Sequence, residues 1–220
     1  MAVMTESKDI LTQMLAVAEQ DKKMSEKQKK IVAAAIELFA ERGFAATSTS
    51  EIAKRAGVAE GTIFRHYKTK KDLLSSITVP IMIESVAPFL AQTFVAEVFE
   101  QEYPDFRAFL TTLIKNRFEF ARENSQVIKI YMQEMLYHEE IRDQFSKVFM
   151  VHVKGQFDRI INFYKERGEI NDMPNSTIMR TLITNIVGLM ITRFMIIPKA
   201  EWDDEAEIER TVCCITKGIS

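Results

Sequence analysis

The 220-residue chain is 47% apolar, carries only 7 Gly and 5 Pro, and has a net charge of −2. That much apolar mass with so few turn formers favours long helices around a sizeable core over turn-rich β structure. The near-neutral balance argues against a simple nucleic-acid coat. No uninterrupted apolar run reaches about 18 residues, and Glu6, Lys8 and Asp9 break any leader pattern, so a cytoplasmic protein with no membrane partner is expected. The charge is uneven: residues 25–75 hold 10 Lys/Arg and 6 Asp/Glu, residues 76–220 hold 16 and 21. A basic N-terminal part on an acidic body suits a protein that offers one end to phosphates.

In chain order, Ile10, Leu11, Met14, Leu15 and Ala18 recur at helical spacing between Ser7 and Gln20. Residues 1–24 therefore read as an extension containing a short amphipathic helix; a frayed tail suits the same pattern. The next helix starts at Ser25, where Ser25-x-x-Gln28 has capping-box form, and buries Ile31, Ala34, Ala35, Leu38 and Phe39 before Gly43 ends it. Lys27, Lys29 and Lys30 crowd its first turn, where the helix dipole disfavours cations; a nearby phosphate or a solvated face accounts for them. A second capping box, Ser48-x-x-Glu51, opens a short helix in which Ile52, Ala53 and Ala56 face inward and Gly57 permits a left-handed stop. Four hydroxyls, Thr47, Ser48, Thr49 and Ser50, gather at its start, a place suited to a phosphate oxygen. Another short helix runs from Glu60 to Tyr67 with Ile63 inside and Thr62, Arg65 and His66 able to face out. Two short helices joined at a Gly turn form a helix-turn-helix over residues 25–75, and Thr62, Arg65, His66 and Tyr67 are placed to meet DNA. Thr69 caps a further helix that begins with Lys70 and Lys71.

Residues 31–74 resemble the DNA-binding domain of TetR-family transcriptional repressors. The matching blocks are Ala34-Ala35-x-x-Leu38-Phe39-x-x-x-Gly43-Phe44, Thr47-Ser48, Ile52-Ala53-x-x-Ala56-Gly57-Val58, Gly61-Thr62-Ile63-Phe64-x-His66-Tyr67 and Lys70-x-x-Leu73. The resemblance implies an all-α protein: a three-helix DNA-binding domain and a larger effector-binding and dimerisation domain over residues 76–220. It implies that Thr49, Thr62, His66 and Lys70 touch phosphates while Ser50, Glu60, Gly61 and Arg65 lie closest to base edges. Three departures stand out. Ala59 replaces a capping Ser, Phe64 replaces a Tyr whose hydroxyl would reach DNA, and Lys71 replaces an acid.

The body continues with helical periodicity. A helix running from Asp72 should kink at Pro80, and Pro88 marks a second irregularity. Pro104-Asp105 opens a helix with Phe106, Phe109, Leu110, Leu113, Phe118 and Phe120. Separate helices are expected over Ser125–Tyr137, Glu139–Arg167 (stopped by Gly168), Pro174–Ile197 and Trp202–Lys217. The chain's 15 Phe and 12 Met suit either a plain core or an adaptable apolar pocket. Polar residues on apolar stripes favour a pocket that draws on Asn116, Phe120, Met132, Met135, Phe149, His152, Gln156 and Asn185; the same polar groups satisfying one another is the alternative. Ile178, Leu182, Ile183, Ile186, Val187, Leu189 and Met190 span a wide arc with Gly188 beside them, and Ile208, Val212, Ile215 and Ile219 stripe the last helix. A four-helix dimer interface is expected there, a buried central helix being the alternative.

No phosphate-binding, dinucleotide-binding or nucleophile-elbow motif occurs, and His138-Glu139-Glu140 lacks a second His one turn away. No metal, cofactor or enzymatic activity is expected. Cys213 and Cys214 are adjacent, which suits neither a metal site nor a disulfide framework, and packing explains them better than a redox role. The expected function is a homodimeric repressor on a palindromic operator, released by a mostly apolar effector. The rival is an apolar-ligand carrier, or an interaction protein, whose helix-turn-helix no longer binds DNA specifically.

Overall fold

The computed structural model describes residues 10–219 except 23, 45, 74–81, 83–85 and 138. The expected kink at Pro80 and the reading of His138 lie outside the described residues. The described chain is helical, with no strand among the described residues: α1 (Ile10–Gln20), α2 (Glu26–Arg42), α3 (Thr49–Ala56), α4 (Glu60–His66), α5 (Lys70–Leu73), α6 (Ala87–Val98), α7 (Phe106–Tyr137), α8 (Glu139–His152), α9 (Lys154–Glu166), α10 (Asn175–Ile191) and α11 (Asp204–Ile219). By contact density the chain forms two compact units: Met1–Leu90 with Gln126–Lys147, and Ala91–Ser125 with Val148–Ser220.

In the first unit both capping boxes form as the spacing predicts. Ser25 and Gln28 bond reciprocally at the start of α2, and Ser48 and Glu51 do so at the start of α3. The α3–α4 turn is made by Gly57 at φ 66°, ψ 35°. Its N–H reaches the Lys54 carbonyl at 3.3 Å, and the Val58 N–H reaches the Ala53 carbonyl at 3.0 Å. This bond pair needs one residue in the left-handed region, which glycine enters without a Cβ clash. Ile31, Val32, Ala35, Leu38 and Phe39 of α2 are buried with Ile52, Ala53, Ile63 and Leu73. The helix α1 is ordered, and Ile10, Met14 and Ala18 are buried, α1 packing on α2. In the same unit the Tyr131 hydroxyl donates to the Met14 sulfur at 3.8 Å, and burial drives that phenol's pKa well up.

In the second unit an aromatic cluster fills the core. Phe99 meets Phe157 edge-on at 4.9 Å, Phe94 at 5.4 Å and Phe109 at 5.6 Å, and Phe106 meets Tyr164 at 5.4 Å. Edge-to-face contacts of this kind add to the burial of large apolar area. Asp105 caps α7, its Oδ1 accepting from the Ala108 N–H at 2.7 Å.

Three boundaries differ from the sequence expectation. Ser125–Tyr137 is not a separate helix: α7 is one 32-residue helix, because residues 119–126 contain no Pro or Gly to break it. The expected Glu139–Arg167 helix is divided at Val153 (φ −114°), so Phe149, His152, Gln156 and Ile160 do not lie on one uninterrupted helix. The expected Pro174–Ile197 helix ends its α-helical part at Ile191 and continues as a π turn over Thr192–Ile196, closed by Ile197 N–H to Thr192 O at 2.9 Å. A further correction concerns the last helix. Ile208, Val212, Ile215 and Ile219 turn into the chain's own core, as do Ile178, Leu182 and Ile186 of α10. Period alone tells that a face is buried, not what buries it.

Candidate nucleic-acid interface and effector region

In the first unit α3 and α4 pack together and carry the exposed Ser50, Glu60, Gly61, Arg65 and His66. Glu51 anchors their geometry: the carboxylate accepts from the Ser48 N–H and hydroxyl at 2.9 Å each, and from Arg42 at 2.8 Å. These donors hold its pKa below the ordinary carboxylate value, the Ser48 backbone bond first. Arg55 ties α3 to α2 through Glu41, at 2.9 and 3.0 Å, and Glu37, at 3.0 Å. These exposed ion pairs orient the helix more than they stabilise it.

The four hydroxyls have four different environments. Thr47 is 2% exposed, and its hydroxyl donates to the Leu38 and Gly43 carbonyls at 3.2 and 3.0 Å; it fastens the end of α2 and is not at the surface. Ser48 is the cap of α3. Thr49 donates across the turn to Glu60 at 2.9 Å, so an expected phosphate contact and an expected base contact hold each other. Ser50 is exposed. Capping and packing thus account for three of the four.

On α4, Ile63 is fully buried and fixes the helix, while Glu60, Gly61, Arg65 and His66 are exposed and Thr62 half-buried. Ala59 gives α4 no side-chain cap, as its substitution for Ser predicts. Phe64 leaves 49% of its surface in water, a large apolar exposure on a helix that otherwise presents polar groups. Arg65 has no ion-pair partner among the described residues. Tyr67 differs from expectation: it is 7% exposed, burial raises its pKa, and the Gln28 side chain hydrogen-bonds to it, so it braces α2.

Lys70 also has an intramolecular role. Its ammonium donates to the Phe44 carbonyl at 2.5 Å and the Thr47 carbonyl at 2.7 Å and sits 4.4 Å from the Phe44 ring centroid, with its pKa lowered by burial. It closes the α2–α3 turn from the far side. Lys71 begins the same helix; its side chain lies outside the described residues.

The residues expected to line an effector pocket fall in both compact units. Met132 and Met135 belong to the first unit, and the other six lie in the second. Asn185 is exposed and donates to its own helix at Thr181 O, 2.8 Å. Asn116 donates to Glu97 at 2.7 Å and accepts from Arg117. Phe149 packs on the core, and Phe120 lies 4.8 Å from the Arg117 guanidinium. His152 and Gln156 are half-buried on either side of the Val153 break. A cleft of about 310 Å³ opens between α9 and α10, beside Lys154, Asp158, Met179 and Ile183. Sequence reasoning missed Arg117, whose signal was a cation between two expected pocket residues. Among the described residues no group of three His, Cys, Asp or Glu is placed to hold a metal.

A family model described as bacterial regulatory proteins of the tetR family matches residues 31–77. The HTH-type transcriptional regulator YerO of Bacillus subtilis is 27% identical over 176 residues, 76% of this chain and 57% of its own length. The Bacillus subtilis protein named Fatty acid metabolism regulator protein is 47% identical over 51 residues, 23% of this chain and 26% of that one. The chain thus spans little more than half of the first relative and about a quarter of the second. Among solved structures, FadR from Bacillus subtilis in complex with stearoyl-CoA superposes with a TM-score of 0.61 at 22% identity, over 87% of this chain and 98% of that one. The FadR of Bacillus halodurans, a fatty acid degradation regulator, gives 0.60 at 23% identity over 90% and 98%. At such identities the structural likeness establishes the fold alone, and residues 31–77 carry the match to the tetR family of bacterial regulatory proteins.

Proposed function

We propose that the protein is a homodimeric cytoplasmic repressor that holds a palindromic operator through α4 of each protomer and releases it on binding a mostly apolar effector. The observation that carries the reading is the outer face of α4. Gly61, Phe64, Arg65 and His66 stand in solvent on a helix whose seat, Ile63, is fully buried. A rigid short helix with an unoccupied arginine is suited to a major groove, and two copies would read half-sites about 34–36 Å apart or a multiple of that. Thr49, Ser50, Glu60, Thr62 and His66 border that face and are the proposed supporting contacts.

The dimer reading rests on α10. The helix and its π continuation, Asn175–Ile196, are apolar enough to cross a membrane, yet only 22% of the most apolar window is buried within the chain. One face already packs in the protein's own core, so a bilayer would have to strip it; a second copy covers the other face without that cost. For the effector, the Bacillus subtilis FadR structure supports a long acyl compound, since that protein of like fold is in complex with stearoyl-CoA. The 47% match to the fatty acid metabolism regulator covers only the DNA-binding part and says nothing of the effector. The effector must favour a state whose reading heads are mis-spaced, or it shifts nothing.

The test is a salt-dependent titration of the purified protein against DNA from its own upstream region. Competitor-resistant binding with a steep salt slope is expected. Binding indistinguishable from random DNA there and in a genome-wide selection would move the assignment to an apolar-ligand carrier. The interaction-protein rival loses force because Ile10, Met14 and Ala18 of the N-terminal helix are covered within the chain.

Lys70 separates two ways of assisting DNA. Its ammonium is engaged by carbonyl oxygens, so Lys70→Met is expected to weaken operator and random DNA alike, by loosening the α2–α3 turn, and to leave the salt slope nearly unchanged. A slope lowered by about one unit would instead put the ammonium on a phosphate, as the family resemblance implies.

A further inference from the structure

Arg117, on α7 in the second unit, is half-buried and faces α6. Its guanidinium lies 3.9 Å from the Phe94 ring centroid and 4.8 Å from that of Phe120. Two of its N–H groups, on Nε and Nη2, donate side-on to Asn116 Oδ1 at 2.9 and 2.5 Å. Asn116 in turn donates to Glu97 Oε2 at 2.7 Å, so the nearby carboxylate is linked to the cation through an amide. Loss of water lowers the guanidinium pKa to about 10, with Glu97 opposing the shift.

The part-buried Arg193 makes a useful contrast. It has a carboxylate in contact, Asp204 at 2.7 Å, and donates as well to the Pro198 carbonyl. Arg117 has neither a contact carboxylate nor a backbone carbonyl among the described residues. A guanidinium has five N–H donors, and the side-on bond to Asn116 uses two. Both hydrogens of Nη1 and one of Nη2 have no acceptor among the described residues, and the flat end they form is the fork that matches a carboxylate or phosphate bidentately. The two neighbouring aromatic rings favour the cation without offering an acceptor for an in-plane N–H. The side-on bond to Asn116 orients the fork, so an incoming anion meets donors already placed.

We infer that Arg117 is the anchor for the anionic end of the effector, which makes that effector an amphiphile with an apolar chain and a carboxylate or phosphate head. The inference rests on the effector reading above and sharpens it. Asn116 and Glu97 are then positioning groups: Glu97 holds the Asn116 amide, and the Asn116 oxygen turns the fork outward. The head group supplies the contact charge that the folded chain withholds, while the chain lies against apolar side chains.

The experiment measures binding of palmitate, hexadecyl phosphate, palmitoyl-CoA and the neutral hexadecanol to the full-length protein by calorimetry below their critical micelle concentrations. The wild type is expected to prefer the anionic compounds over hexadecanol by roughly 10- to 100-fold, and Arg117→Met to erase that preference while leaving hexadecanol binding unchanged. Arg117→Lys should restore part of it. The order of palmitate, the alkyl phosphate and the CoA ester in the wild type identifies which head group is the natural one. Equal binding of acid and alcohol by the wild type, or an acid preference that survives Arg117→Met, overturns the anchor. If Arg117→Met fails to fold, judged by helical content and melting, the wild-type acid-to-alcohol ratio and the Arg117→Lys variant still decide. If none of the four compounds binds, the apolar-effector reading falls, and the anchor with it; hexadecanol binding without an acid preference removes the anchor alone.

Discussion

Replacing Arg65 by Ala should lower operator affinity by about 2–6 kcal/mol, because a bidentate contact to a base is worth ~1–3 kcal/mol and the proposed dimer would make two. The loss should be sequence-dependent. Operators altered at the base pair that Arg65 reads should bind the variant no worse than the intact operator does, so preference at that one position in each half-site flattens. Titration against a set of single-position operator variants checks both statements. A uniform loss on all sequences with a shallower salt slope would place Arg65 on the phosphate backbone. The neighbouring Arg55 is the control: two glutamates hold its guanidinium at 2.9–3.0 Å, so Arg55→Ala should affect α3 packing and leave base preference intact. The two arginines lie ten positions apart, and only Arg65 has its fork available.

Short-range features of this fold were legible in the sequence because their determinants lie within a few residues. A capping box is a three-residue relation, and Ser25–Gln28 and Ser48–Glu51 both form. The Gly57 turn needs only a residue that tolerates positive φ at the right offset. Ala59 announces an uncapped α4 for the same reason. Long-range features were not legible. The sequence displays hydroxyl donors at Thr47 and Thr49 but not their acceptors, which are Leu38 O nine residues back and Glu60 eleven residues on. Lys70 looks like a surface cation until the Phe44 and Thr47 carbonyls, more than twenty residues upstream, are brought beside it. The stripe on α11 had the correct period and the wrong covering, since its four isoleucine and valine side chains pack inside the protomer. Arg117 was passed over because helix periodicity marks Asn116 and Phe120 as polar or apolar exceptions, whereas a cation reads as a solvated face until the rings of Phe94 and Phe120 are brought beside it.

Val187→Glu should convert the proposed dimer to a monomer and reduce operator affinity by at least about 100-fold, since joining two reading heads raises avidity by ~10²–10⁴. The two faces of α10 differ in what covers them. Ile178, Leu182 and Ile186 are buried in the protomer's own core, which seats the helix without help from a partner. Ile183, Val187 and Met190, at i, i+4 and i+7, remain only partly covered. Gly188 beside them meets no heavy atom within 4 Å of a Cβ placed on it, so the backbone there is open to close approach by another helix. In a two-fold interface a residue near the axis faces its own copy, so one glutamate introduces a pair of like charges as well as a desolvated carboxylate at each site. Val187 is not among the fully buried core residues, so the protomer should keep its helical content. Sedimentation at micromolar concentration then gives half the wild-type mass. A variant that stays dimeric would move the symmetric surface off the outer face of α10; a variant that is monomeric yet binds the operator undiminished would remove the two-headed reading of DNA.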